Sequence, residues 1–246
     1  NTGIGREALA ANTTASNNVA LGAYALDANT TASSNVAVGY LALTANTTGA
    51  TNTAVGDSAM VANTTGAENV AVGGTALDAN TTGDANTAVG YAALTANATG
   101  SQNTAVGRSA LQDTAGGGNT AMGYKAMEAN STGTGNVAVG WSALDAATTA
   151  TNNTGVGYGV LGATTTGGSN TAVGYGALDS NTTASNNTAM GYNALTTNTT
   201  GTSNTAVGYA ALNLNATSDN NTAIGHNALE NNVNDSNTAV GYYSLR

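Results

Sequence analysis

The chain has 246 residues with no cysteine, proline or phenylalanine, and a formal net charge of −9. Lysine and arginine number only four in all, which is too few to follow a phosphate backbone, so the composition argues against nucleic acid and against anionic membrane surfaces. No apolar run is long enough to insert across a bilayer, and the absence of cysteine excludes disulfides and thiolate metal sites.

One motif, Asn-[Thr/Val]-[Ala/Gly]-[Val/Ile/Leu/Met]-Gly, occurs fifteen times along the chain. Successive copies lie 17 residues apart, except for two spacings of 16 that begin at Asn103 and Asn221. A fixed period is typical of stacked identical units, whereas disordered tracts of similar polarity keep composition but not register. We therefore predict one continuous repeat array over residues 1–246, with repeats that begin at residues 1, 18, 35, 52, 69, 86, 103, 119, 136, 153, 170, 187, 204, 221 and 237.

Each repeat divides into three parts when the motif asparagine is counted as position 1. The β-branched and aliphatic residues of the motif, closed by glycine at position 5, are typical of a short strand that runs into a turn. Positions 6 to 10 predict a second strand, since five residues are too few for a stable helix. Positions 11 to 17 have the composition of a turn and contain both one-residue deletions. The fold prediction is an all-β, parallel β-solenoid (β-roll) of about 14–15 coils with two short strands per coil.

The stacking of equivalent positions predicts what fills the interior. Aliphatic residues at position 4 and leucine at position 9 are expected to form two core ladders, and asparagine at position 1 an amide ladder. Alanine recurs at positions 3 and 8 on the opposite faces of the predicted strands. We predict that these alanines are buried against another chain, which implies a homo-oligomer with parallel repeat axes. The alternative is a monomeric solenoid in which alanine fits a tight coil.

Four motif copies, which begin at residues 18, 35, 69 and 136, read Asn-Val-Ala-[Val/Leu]-Gly. This motif resembles the Ser-Val-Ala-Ile-Gly motif of the heads of YadA-type trimeric autotransporter adhesins, which are left-handed parallel β-rolls that trimerise. The longer unit at residues 187–201 is similar to repeats of bacterial and phage tail fibre domain proteins. The resemblance covers the whole chain, although the 17-residue period is longer than the usual unit of the adhesin heads. It implies a trimer or filament on a bacterial surface or a phage virion, and it brings no catalytic residues.

The inventory of reactive side chains argues against an enzyme. The single histidine, His226, occupies position 6, where it is read as a substitute for an aromatic ring. Acidic residues recur at position 10, but only Glu128 and Asp145 lie in adjacent coils, which gives neither a glycosidase pair nor a calcium site. We predict no catalytic activity, no cofactor and no metal.

Position 6 carries the first candidate binding surface, because it is aromatic or histidine in every repeat from the eighth onward. A row of rings could stack against sugars and bind a glycan. The alternative is a ladder that stiffens the stack of coils or seals a seam between chains. The candidate glycan-binding residues are Tyr124, Trp141, Tyr158, Tyr175, Tyr192, Tyr209 and Tyr242.

The Asn-Thr-Thr segment carries two further hypotheses. Its asparagines form sequons for N-glycosylation. The alternative is that asparagine occurs at this position because it caps a turn. Its two threonines also resemble the threonine arrays of ice-binding solenoids, but adjacent side chains should diverge. The candidate glycosylation sites are Asn12, Asn29, Asn46, Asn63, Asn80, Asn97, Asn130, Asn181, Asn198 and Asn215.

Together these patterns predict a structural segment, the shaft or head of an extracellular fibre or adhesin. Its partners would be further copies of the chain and a cell-surface glycan or receptor. The alternative function is a solenoid that binds ice or a glycan through a threonine, asparagine or tyrosine ladder on its surface.

Overall fold

The computed structural model describes residues 1–245 and shows a parallel β-solenoid with one three-residue strand in each coil. No part of residues 1–245 is helical, so none of these residues forms a helix able to cross a membrane. The strands are β1 (Thr2–Ile4), β2 (Val19–Leu21), β3 (Val36–Val38), β4 (Thr53–Val55), β5 (Val70–Val72), β6 (Thr87–Val89), β7 (Thr104–Val106), β8 (Thr120–Met122), β9 (Val137–Val139), β10 (Thr154–Val156), β11 (Thr171–Val173), β12 (Thr188–Met190), β13 (Thr205–Val207), β14 (Thr222–Ile224) and β15 (Thr238–Val240).

The chain folds as two compact units, Asn1–Met122 and Gly123–Arg246. In the first unit, β1 to β8 pair in sequence as parallel neighbours, and each residue faces its copy in the next repeat, as Ala54 faces Ala71. In the second unit, β9 to β15 pair in the same way. The register holds across both shortened repeats, where Thr104 pairs with Thr120 and Thr222 with Thr238. The loops therefore absorb the deletions, as predicted.

The predicted second strand is wrong, because positions 6 to 11 form turns. Positions 7 and 9 take left-handed backbone angles, with φ of 55° at Leu41 and 54° at Leu43 in the third coil. Two left-handed residues so close together curl the chain and prevent an extended strand. The backbone still pairs between coils, since the Leu43 amide donates to the Ala59 carbonyl at 3.0 Å.

The interior is made of alanine at positions 3 and 8 and of leucine or methionine at position 9. In the third coil Ala37, Ala42 and Leu43 all have 0% exposure. The predicted burial of position 4 is wrong: successive side chains of a strand point to opposite faces, so position 4 points outward when position 3 points inward. The prediction that the alanine rows are buried against another chain is also wrong, since each alanine packs within its own chain.

Buried asparagines at positions 1 and 12 hold each coil to the next. At position 1, Asn35 Oδ1 accepts the backbone N–H of Asn52 at 2.8 Å, and its Nδ2 donates to the Gly49 carbonyl at 3.0 Å. At position 12, Asn63 Nδ2 donates to Asn46 Oδ1 at 2.9 Å and to the Gly66 carbonyl at 3.0 Å. The amide ladder predicted at position 1 is therefore chiefly a bond from side chain to backbone. A ladder between side chains lies at position 12, where it runs from Asn12 to Asn80, and it is interrupted in later coils, as at Ala147.

The glycine at position 5 is required by backbone shape and by contact. Its φ lies between 130° and 143° in every coil, a region closed to residues that carry a Cβ. A Cβ added at Gly90 would also lie 2.5 Å from the carbonyl oxygen of Gly107.

Replacing Gly90 by alanine should therefore lower the free energy of unfolding by about 2 kcal/mol or more, through backbone strain and the clash with the next coil. Thermal and urea unfolding followed by circular dichroism measure the change. Gly74→Ala is the matched control, because an added Cβ there meets only the ring of Tyr91, at 3.5 Å. Equal losses from the two variants would contradict this account of position 5.

Candidate functional site

The outward face of each sheet is apolar and continuous. Position 4 is never buried, and in the second unit the exposed fractions are 38% for Val156, 45% for Met190 and 41% for Ile224. Because the strands pair in register, these side chains form one row of aliphatic groups along the sheet, flanked by the partly exposed threonine or valine of position 2. We call this surface the aliphatic face. Strand alternation could have revealed it, had the alanines of position 3 been read as the interior.

The aromatic side chains of position 6 form a stacked row in the second unit. The ring centroids of Tyr158 and Tyr175 are 5.2 Å apart, with planes 5° from parallel. Tyr175 to Tyr192 and Tyr192 to Tyr209 repeat this arrangement at 5.1 and 5.3 Å. Each of these rings is about half exposed, but the inner ones have a neighbour on both faces. They therefore present edges and phenol groups to solvent, more than faces that a sugar could cover.

Trp141 differs from the four stacked tyrosines of this row. Its ring plane is tilted by 59° from Tyr124 and by 40° from Tyr158, and 56% of the residue is exposed. The tilt leaves its ring less completely stacked than those of the tyrosines that follow. Trp141 therefore suits contact with a sugar better than the four stacked tyrosines do.

The asparagines of the sequons lie inside the coil. From Asn29 to Asn215 the nine position-12 sequon asparagines all have 0% exposure, and only Asn12, in the first coil, is partly exposed. Each Nδ2 donates to the carbonyl of position 15 in the same coil, as Asn46 does to Gly49 at 2.9 Å. This is the turn-capping role considered as the alternative. Glycosylation of the nine buried asparagines stays a prediction that applies only to a chain not yet folded.

The two threonines of the loop diverge, as the sequence indicated. At position 13 the hydroxyl is already used within the solenoid, since Thr47 Oγ1 donates to the Thr64 carbonyl at 3.1 Å. At position 14 the side chain is exposed, as it is at Thr48. A single exposed row remains where an ice-binding surface of this type would present two.

A shallow notch interrupts the surface of the second unit, where two successive position-7 residues are glycine. A depression of about 100 Å³ is lined by Tyr158, Gly159, Tyr175, Gly176 and Asp179. Position 10 also lacks a side chain here, at Gly162. Sequence analysis identifies only Glu128 and Asp145 as acidic residues in adjacent coils. It does not predict that Asp145 and Asp179 approach each other across Gly162.

The carboxyl groups beside the notch are partly shielded from water. A Cβ added at Gly162 would lie 2.7 Å from Asp179 Oδ1 and 3.7 Å from Asp145 Oδ1. Burial raises the pKa of both carboxyls above the usual value, and the charges of Asp179 and Glu128 raise that of Asp145 further. Within residues 1–245 no three metal-ligating side chains come together, so the notch does not form a metal centre of that kind.

No protein-family model, no curated protein and no solved structure matches this chain.

The raised pKa of Asp145 predicts a pH dependence of stability. An acid whose pKa is higher in the folded chain binds its proton more tightly there, so its contribution to stability is lost as the pH rises from about 4 through that pKa. Asp145→Asn should therefore raise the unfolding midpoint at pH 7, and this gain should shrink towards pH 4. Thermal unfolding at both values measures it. Asp113→Asn removes the same charge from an exposed loop, and an equal gain there would contradict the role of burial.

Proposed function

We propose that this chain is a structural, non-catalytic segment of an extracellular fibre or adhesin, either its shaft or its head. The aliphatic face is the observation that carries the proposal. Continuous apolar patches of more than a few hundred Å² are uncommon on proteins that work as monomers, and they mark surfaces of association. A row of aliphatic side chains that is at least partly exposed in every coil has the character of such a surface.

In this proposal the chains contact each other through the aliphatic face and not through the alanine rows. Position 4 supplies an aliphatic group at every strand spacing of about 4.8 Å, so two copies aligned along their axes meet the same surface at each coil. Few charges interrupt this face, since positions 2 and 4 are uncharged in all fifteen repeats. The number of copies, three, comes from the resemblance to trimeric adhesin heads.

The arrangement of polar groups supports a structural role. The asparagines of positions 1 and 12 and the hydroxyl of position 13 are used to bond one coil to the next. Side chains committed to such ladders stabilise the stack and are not free to act on a substrate. In this proposal the protein works as a spacer on a bacterial surface or a phage virion, and it displays its loops or a neighbouring domain to a cell-surface receptor.

Light scattering on the purified chain tests the proposal, and we expect a mass three times the 23.7 kDa of one chain. The triple variant Val156→Lys/Met190→Lys/Ile224→Lys should dissociate the assembly, since it places charges on the aliphatic face while each side chain remains in solvent in the free chain.

The matched control is Thr149→Lys/Thr166→Lys/Thr200→Lys, which adds the same charge at three exposed loop positions. It should leave the mass unchanged. A monomeric wild-type chain would overturn the proposal, and so would dissociation of the control to the same extent.

Sugar binding is the second candidate function, and the tilted, exposed ring of Trp141 is what favours it. If the aromatic row binds glycans, a glycan array should give a signal that Trp141→Ala abolishes and that Tyr192→Ala, within the stacked rings, leaves largely intact. Equal loss in the two variants would place the contact along the whole row, and no signal from the wild type would remove this candidate.

A further inference from the structure

Four tyrosines of the position-6 row have an unusual mutual geometry. From Tyr158 to Tyr209 every pair of neighbours has ring centroids 5.1–5.3 Å apart and ring planes within 9° of parallel. In-register strands place each ring carbon about one strand spacing from its equivalent in the next coil. The rings are also about half exposed, so a diffusing reagent can reach the phenol groups and the rings have room to tilt.

Disulfides cannot join the coils of this chain. It contains no cysteine, and the contacts described between adjacent coils are hydrogen bonds and packing. A bond between equivalent residues of neighbouring coils would close a loop of only 17 residues and would leave the register unchanged. Crosslinks of this kind restrict the unfolded chain, as disulfides do.

We propose that Tyr158, Tyr175, Tyr192 and Tyr209 form a site of oxidative modification, where a one-electron phenol oxidant joins neighbouring coils through dityrosine. The proposal goes beyond the fibre and does not depend on it, because both partners of each bond belong to one chain.

The chemistry balances with a peroxidase and hydrogen peroxide as the oxidant. Each of two phenols loses one hydrogen atom from its hydroxyl group, and the two phenoxyl radicals form a carbon–carbon bond between their ortho positions. The hydrogen at each coupled carbon then moves to the phenol oxygen, which restores the aromatic rings. The two hydrogen atoms removed reduce one hydrogen peroxide to two waters.

Three of the other tyrosines of the chain offer natural comparisons. Tyr24 and Tyr40 are 6.3 Å apart, and their planes cross at 76°. Tyr91 has Gly74 and Arg108 as its neighbours at position 6. These residues are exposed to the same oxidant without the parallel arrangement, so we expect little coupling at them.

The experiment treats the dilute, folded chain with a heme peroxidase and hydrogen peroxide. We expect dityrosine fluorescence and an intact mass that falls by two hydrogens for each bond, with peptide mapping that joins neighbours among the four tyrosines. The midpoint of thermal unfolding should rise with the number of dityrosine bonds formed. Coupling mapped mainly to Tyr24, Tyr40 or Tyr91, or bonds mainly between chains, would overturn the proposal.

Two variants with the same number of phenols provide the control. Tyr175→Phe/Tyr209→Phe keeps every ring but leaves no two adjacent phenols among the four, so the crosslinks among them should disappear from the peptide map and the fluorescence that they give should be lost. Tyr40→Phe/Tyr91→Phe should keep the wild-type signal. If the urea-unfolded chain gives the same bonds at the same yield, the stacked geometry is not their cause and the proposal fails.

Discussion

Within each unit, the hydrogen bond from the backbone N–H of a motif asparagine to the Oδ1 atom of the asparagine one coil earlier is the interaction on which the solenoid depends. It fixes where every strand begins, because it ties the start of one strand to the start of the next. Once that register is fixed, each residue lies against its own copy, and the alanine, leucine and position-12 asparagine rows follow. An unpaired amide in this interior would cost about 1–3 kcal/mol, so a shift of one residue along the whole stack is strongly disfavoured.

A second constraint comes from the thinness of the coil. Its interior has room for two alanines and one leucine per turn, together with the polar ladders. Leucine at position 9 accepts a left-handed backbone angle that bulky residues normally avoid. Its complete burial compensates, since a buried leucine side chain contributes about 1.5–3 kcal/mol. Larger and oxidisable rings are thereby kept outside, which explains why tyrosine is found at position 6 and not in the core.

Periodicity predicted the class of fold, the register and the place of the loops, since all three follow from the spacing of Asn and Gly. It did not predict which strand face points inward. Valine at position 4 is more apolar than alanine at position 3, and transfer free energy alone would bury the valine. The limited space inside the coil reverses that choice. This space is set by the closed coil as a whole and cannot be inferred from the residues of a single repeat. The aromatic row was visible in the sequence, but the parallel stacking of its rings depends on side-chain geometry and was not.

The tolerance of the two shortened repeats has an evolutionary consequence. Because any coil presents to its neighbours the same backbone groups as any other coil, a copy can be inserted or removed without a mismatch at either junction. Unequal crossing-over between the repeats of such a gene would then yield folded products of different length in a single step. The number of coils could change in this way while every contact within the stack stayed the same.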